Sequence, residues 1–214
     1  MKDIDVYRMA RYNGEKSKGG FPVRFHQKPI CLKDGREAVL RSPTAEDAAQ
    51  MLEYLKTTSA ETEFVLRYPE ECTETLQQEQ EILQSIADSP HSLMIACEVD
   101  GEIAGNCALN FNKRFKVRHR ASIAIALIQK FWGLGIGSSM LDQVIRVARE
   151  MGVTQLELEY VEGNERARRL YEKVGFRVIG ERPRAFLLKD GSMRSEILMM
   201  LELDSNEGGE SNGI

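Results

Sequence analysis

Residues 129–152 read QKFWGLGIGSSMLDQVIRVAREMG. Gly133, Gly135 and Gly137 stand at alternate positions, and each glycine costs ordering entropy that a plain turn would incur once. Behind them Met140, Leu141, Val144, Ile145 and Ala148 recur on one face at helical spacing, and Gly152 closes the pattern, so a helix is expected from about Ser138. Ahead of them RASIAIAL, residues 120–127, reads as a strand. Strand, glycine loop and helix together aim the free N–H groups of a helix N-terminus at whatever fills the loop, which suits an anion, phosphate above all. The dinucleotide fingerprint Gly-x-Gly-x-x-Gly lacks its third glycine, and no Lys-Ser or Lys-Thr follows as a P-loop requires. On the loop alone, phosphate binding and a purely structural use of glycine are evenly matched.

The neighbouring chain supplies the architecture. Three Asp-Gly pairs, Asp34-Gly35, Asp100-Gly101 and Asp190-Gly191, sit between apolar or alternating stretches and predict hairpins with type I′ turns. PICLKDGREAVLR, SLMIACEVDGEIAGNCAL and AFLLKDGSMRSEILMMLEL are therefore strand pairs, and QLELEYV (155–161) is a further strand. Thr44 with Asp47 forms a capping box for a helix through about Thr57; Thr75 with Gln78 opens a second that ends before Ser89-Pro90. Asn164 caps a helix carrying Ala167, Leu170, Tyr171 and Val174, closed by Gly175. This order predicts an α/β (α+β) domain with a mixed sheet.

Composition excludes several classes. The 214 residues are expected to form one domain, and a net charge of −4 offers no general attraction to nucleic acid or anionic membrane. No apolar run approaches the ~18 residues of a spanning helix, and the first residues lack the apolar centre of a secretory signal. Cys31, Cys72, Cys97 and Cys107 show neither CxxC spacing nor disulfide density, which points to a reducing compartment, the cytoplasm. Residues 1–28 carry seven Lys/Arg against three Asp/Glu and read as an extension; residues 204–214 read as a disordered tail. His26, His91 and His119 share no ligand spacing, so no metal is expected. KRFKVRHR, 113–120, reads as a solvated hairpin tip rather than a nucleic-acid contact.

LQKFWGLGIGSSMLDQVIRVAREMG and LELEYVEGNERARRLYEKVGF, taken together, resemble the two signature blocks of the GNAT N-acetyltransferase superfamily. The first matches that family's Arg/Gln-x-x-Gly-x-Gly/Ala loop at Trp132-Gly133-Leu134-Gly135-Ile136-Gly137. The second matches its Asn…Ala…Leu-Tyr-Glu-Lys…Gly-Phe block at Asn164, Ala167 and Leu170 to Phe176. LKDGREAVLRSPTAEDA is similar to the opening of the branch that contains ribosomal-protein alanine acetyltransferases, and the resemblance covers roughly residues 29–203. One position departs: Trp132 stands where the family has Arg or Gln, which removes a side-chain contact to pyrophosphate and leaves the backbone amides.

The resemblance implies a GNAT fold, its mixed central sheet splayed between parallel strands 120–127 and 155–161, with helices on both faces. It implies acetyl-CoA as acetyl donor. The pyrophosphate would lie on Trp132, Gly133, Leu134, Gly135, Ile136, Gly137 and Ser138, and the pantetheine arm beside Leu127, with Asn164 and Ala167 as further cofactor positions. By position Tyr171 is the general acid, and Glu159, twelve residues earlier, the base, with an ordered water or a glutamate of 61–81 as alternatives. The implied partner is a primary amine: a peptide or protein N-terminus from the branch, or a polyamine or other small cationic amine from the seven glutamates of 61–81. A non-catalytic acyl-CoA sensor is the reading from another class. A homodimer is compatible with the sequence.

Overall fold

The structure is a computed structural model that describes residues 22–203. The expected extension, up to residue 21, and the tail from 204 lie outside the described residues. Eight strands form one sheet in the order β1-β2-β3-β4-β5-β6-β8-β7. They are β1 Lys28–Cys31, β2 Glu37–Arg41, β3 Ser92–Val99, β4 Glu102–Phe111, β5 Arg120–Leu127, β6 Gln155–Val161, β7 Arg177–Leu187 and β8 Met193–Glu202. Four α-helices connect them: α1 Ala48–Glu61, α2 Leu76–Ala87, α3 Ile136–Glu150 and α4 Glu165–Lys173. Every strand pair is antiparallel except β5 with β6. The sheet is mixed, as expected.

All three Asp-Gly pairs make hairpins, but with two turn chemistries. Only Asp100-Gly101 has positive φ at both residues, 51° and 79°, as a type I′ turn requires. At Asp34-Gly35 and Asp190-Gly191 only the glycine is left-handed. There the aspartate accepts a hydrogen bond from the backbone N–H two residues on, Arg36 at 3.1 Å and Ser192 at 2.8 Å, and the side chain builds the turn.

The helices follow their caps and stripes. The Asp47 carboxylate accepts from the Thr44 N–H at 2.7 Å; a 3-10 turn, Ala45–Asp47, then leads into α1. That helix runs four residues beyond the expected Thr57, and the Thr58 hydroxyl, turned back onto the Tyr54 carbonyl at 2.9 Å, is satisfied while buried within it. Thr75 and Gln78 cap α2 reciprocally, at 2.8 and 3.3 Å. In α3, Met140, Leu141, Val144, Ile145 and Ala148 are all buried, as the stripe predicts. This helix begins at Ile136, two residues early, because Gly135 at φ +95° caps it.

Candidate active site

The sheet opens between β5 and β6. Their pairing covers only Arg120 with Gln155, Ala121 with Leu156 and Ser122 with Glu157, and the rest of both strands is unpaired with one another. Which backbone groups face this gap follows from the register of β5 on β4. Ile128 N–H bonds Ala104 O at 3.0 Å, and Asn112 N–H bonds Arg120 O at 3.3 Å. Hydrogen-bonded pairs alternate in an antiparallel ladder, so the even-numbered residues of β5 turn toward β4 and the odd-numbered ones away from it. The Ser122–Glu157 pairing engages the Ile123 N–H, so the Ile123 carbonyl and the backbone groups of Ile125 and Leu127 turn to the unpaired part of the gap.

The two faces of the gap differ. Leu127 packs on the α3 side, where its Cδ1 lies 3.7 Å from where a Cβ on Gly137 would stand. Tyr171, from α4, lies on this side too: its ring is 6.1 Å from Tyr160 of β6 and 6.2 Å from Phe176. Burial, with smaller contributions from the neighbouring Cys107 and Tyr160, raises the Tyr171 pKa above that of an ordinary tyrosine. Its hydroxyl makes no hydrogen bond among the described residues. Glu159 precedes Tyr160 on β6, so strand alternation puts it on the opposite face, beside Leu198 of β8 and half-buried. Glu157 shares that face but is held by Arg120 through two contacts of 2.6 and 2.7 Å. The proposed acid and base thus approach one gap from opposite faces.

Tyr54 of α1 braces the end of β5 from the Glu159 face of the sheet. Its hydroxyl donates to the Ala126 carbonyl at 2.9 Å and lies 3.3 Å from Asn106 Oδ1. The sequence reading missed both residues, since a contact spanning 72 positions leaves no local pattern.

The loop's three glycines have two different reasons. Gly133 and Gly135 adopt φ of +82° and +95°, which L side chains rarely tolerate. Gly137 sits inside α3, where a Cβ would come within 2.9 Å of Leu170, so it serves close packing of α3 on α4. The first intrahelical bond of α3 is Ser139 N–H to Gly135 O at 3.1 Å, which leaves the N–H groups of Ile136, Gly137 and Ser138 at the helix end for a ligand. Leu134 is tied back through its carbonyl to the Lys33 N–H at 3.1 Å. Trp132 turns inward: its indole N–H donates to the Leu127 carbonyl at 2.8 Å, so of the two Leu127 backbone groups the N–H is the one left to the gap. Asn164 caps α4 by accepting from Ala167 N–H at 3.1 Å, a structural use of both positions.

The glutamates of 61–81 are mostly engaged. Glu61 accepts from Gln129 N–H at 2.6 Å, Glu71 from Tyr68 N–H at 2.8 Å, Glu74 from Arg67 at 2.8 Å and Glu81 from Gln77 at 3.0 Å. Glu70 pairs with Lys189, and Glu79 is fully buried. No group of three or more His, Cys, Asp and Glu converges among the described residues. No helix there is long and apolar enough to cross a membrane.

The model of the acetyltransferase (GNAT) family matches residues 56–176, more than half of the chain, and the chain belongs to that family. Among solved structures it is similar to an acetyltransferase of the GNAT family from Streptococcus pneumoniae, with a TM-score of 0.73 and 26% identity over 78% of this chain and 99% of that one. It is 35% identical over 75 residues to a [ribosomal protein bS18]-alanine N-acetyltransferase of Haemophilus influenzae, covering 35% of this chain and 51% of the relative. It is 24% identical over 98 residues to the L-amino acid N-acetyltransferase AaaT of Escherichia coli K12, covering 45% and 60%. The chain thus spans between half and two thirds of these curated relatives. Members of this family use acetyl-CoA.

Proposed function

We propose that the chain transfers an acetyl group from acetyl-CoA to a primary amine by direct attack in a ternary complex, with a peptide or protein N-terminus as acceptor. The observation that carries this is the gap itself: the Ile123 carbonyl, both backbone groups of Ile125 and the Leu127 N–H are not paired across it, and the first turn of α3 packs beside Leu127. Tyr171 waits on one face and Glu159 on the other. In this reading the N–H groups of 136–138 take the pyrophosphate and the gap takes the pantetheine arm. Glu159, directly or through a water, accepts the proton of the ammonium so that the nitrogen lone pair attacks the thioester carbonyl. The C–S bond then breaks, Tyr171 donates its proton to the leaving sulfur, and the nitrogen's second proton returns through water to the tyrosinate, leaving the neutral amide.

The bS18-alanine and L-amino acid acetyltransferase relatives support an α-amine over a polyamine, and so does the engagement of most glutamates of 61–81 with partners inside the chain. Four free thiols fit a reducing cytoplasm. Release of free thiol from acetyl-CoA, measured across peptides, amino acids, polyamines and aminoglycosides, tests the reading. Turnover with peptides is expected. Turnover confined to polyamines would replace the acceptor, and tight CoA binding without turnover on any amine would replace the enzyme with a sensor.

A further inference from the structure

Trp132 and Arg166 are 34 positions apart in sequence, yet the Arg166 guanidinium carbon lies 4.5 Å from the centroid of the indole. The same guanidinium borders the loop: its Nη2 lies 3.8 Å from where a Cβ on Gly133 would stand. Lys33 runs past Gly135, its Cγ and Cε 3.8 and 3.9 Å from where a Cβ there would stand. Both side chains are exposed, and neither forms an ion pair with a carboxylate among the described residues. Between them the N-terminal end of α3 carries its own partial positive charge. Three positive features therefore converge on one short loop without an ion-paired carboxylate among the described residues, an arrangement that an anionic ligand would stabilise.

The two cations are not equivalent. The indole face holds the Arg166 guanidinium by a cation–π contact, which leaves N–H donors for another partner. A planar fork of donors matches adjacent phosphate oxygens, whereas a lysine acts as a point charge. We propose that Arg166, held over the Trp132 ring, is the side-chain ligand of the diphosphate at this loop, with Lys33 beside Gly135 as a second cation. A cation from α4 thereby supplies the contact that Trp132 itself cannot make. The proposal rests on the acetyl-CoA reading above.

The test compares CoA with pantetheine compounds, which lack the diphosphate. CoA affinity is measured by calorimetry and by the fluorescence of Trp132, the chain's single tryptophan. Arg166→Ala is expected to weaken CoA at least ~10-fold and to flatten the salt dependence of its binding, with Arg166→Lys in between. The KM for S-acetyl-pantetheine should stay at its wild-type value. If Arg166→Ala binds CoA as the wild type does, the assignment of Arg166 is overturned and the acetyltransferase reading stands. An equal loss for S-acetyl-pantetheine would also overturn it, since the effect would then not concern phosphate. A wild-type protein that binds no CoA would remove both readings.

Discussion

Tyr171 is positioned by its ring, packed against Tyr160 and Phe176, and its hydroxyl adds nothing to that packing. Tyr171→Phe is therefore a clean deletion of one proton donor. Turnover is expected to fall ~10²-fold or more while CoA affinity changes within a few fold, checked by steady-state kinetics beside a separate binding measurement. Glu159→Gln keeps shape and removes basicity. The rate at pH 7 should fall ~10²-fold and recover in part as pH rises, because more of the amine is then already neutral. A turnover–pH profile identical to the wild type would pass the role of base to an ordered water or to a glutamate of 61–81. The sequence marked both residues through their place in a recognisable block. That they lie on opposite faces of β6 came from strand alternation anchored by the Tyr160–Tyr171 contact.

At the scale of elements, the end of β5 is held between β4 and α1, and Gly105 of β4 is its tightest point. It lies opposite Leu127, and a Cβ there would come within 2.8 Å of both the Ala126 carbonyl oxygen and Leu127 Cγ. A strand backbone cannot move aside without breaking its ladder, so Gly105→Ala should cost ~1–3 kcal/mol of stability and weaken CoA binding by displacing the strand. Gly137→Ala should be milder, because its nearest neighbour is the flexible end of Leu170. Denaturant unfolding of the two variants side by side decides this. Elements were legible wherever near neighbours specify them, as the buried stripe of α3 was. Turn chemistry was less so: Asp-Gly announced three hairpins, but whether the aspartate takes positive φ or builds the turn with its side chain depends on the strands it joins.

For the molecule as a whole, the buried thiols under the sheet set a limit at high pH. Cys97 and Cys107 are both 0% exposed; burial, reinforced by nearby Glu98, pushes Cys97 up to about 12, and burial raises Cys107 likewise. In the unfolded chain these thiols titrate near their ordinary value of about 8.5. A folded pKa above the unfolded one means that the unfolded state sheds its protons first, so stability is retained below about pH 8.5 and lost as pH rises toward 12. The melting temperature should be level near neutrality and decline above about pH 9, by roughly 1 kcal/mol of stability per thiol for each pH unit. Replacing both with alanine should make that decline shallower in a calorimetric series.

From the sequence alone, the hairpins, the amphipathic helices, their caps and the glycine loop before α3 could be read, because each depends on periodicity or on the conformational freedom of residues close together in the chain. The two blocks also identified the family. What only the tertiary structure decided are contacts between distant segments. Tyr54 reaches Ala126 across 72 positions, Glu61 reaches Gln129 across 68, and Arg166 stands over the Trp132 ring. Trp132 looked in the sequence like a lost phosphate contact; in the fold its indole holds the Leu127 carbonyl and carries an arginine from α4 on its face. No local pattern encodes such pairs, because they arise from how α1, α4 and the loop pack around an opened sheet, and packing is a property of the assembled chain.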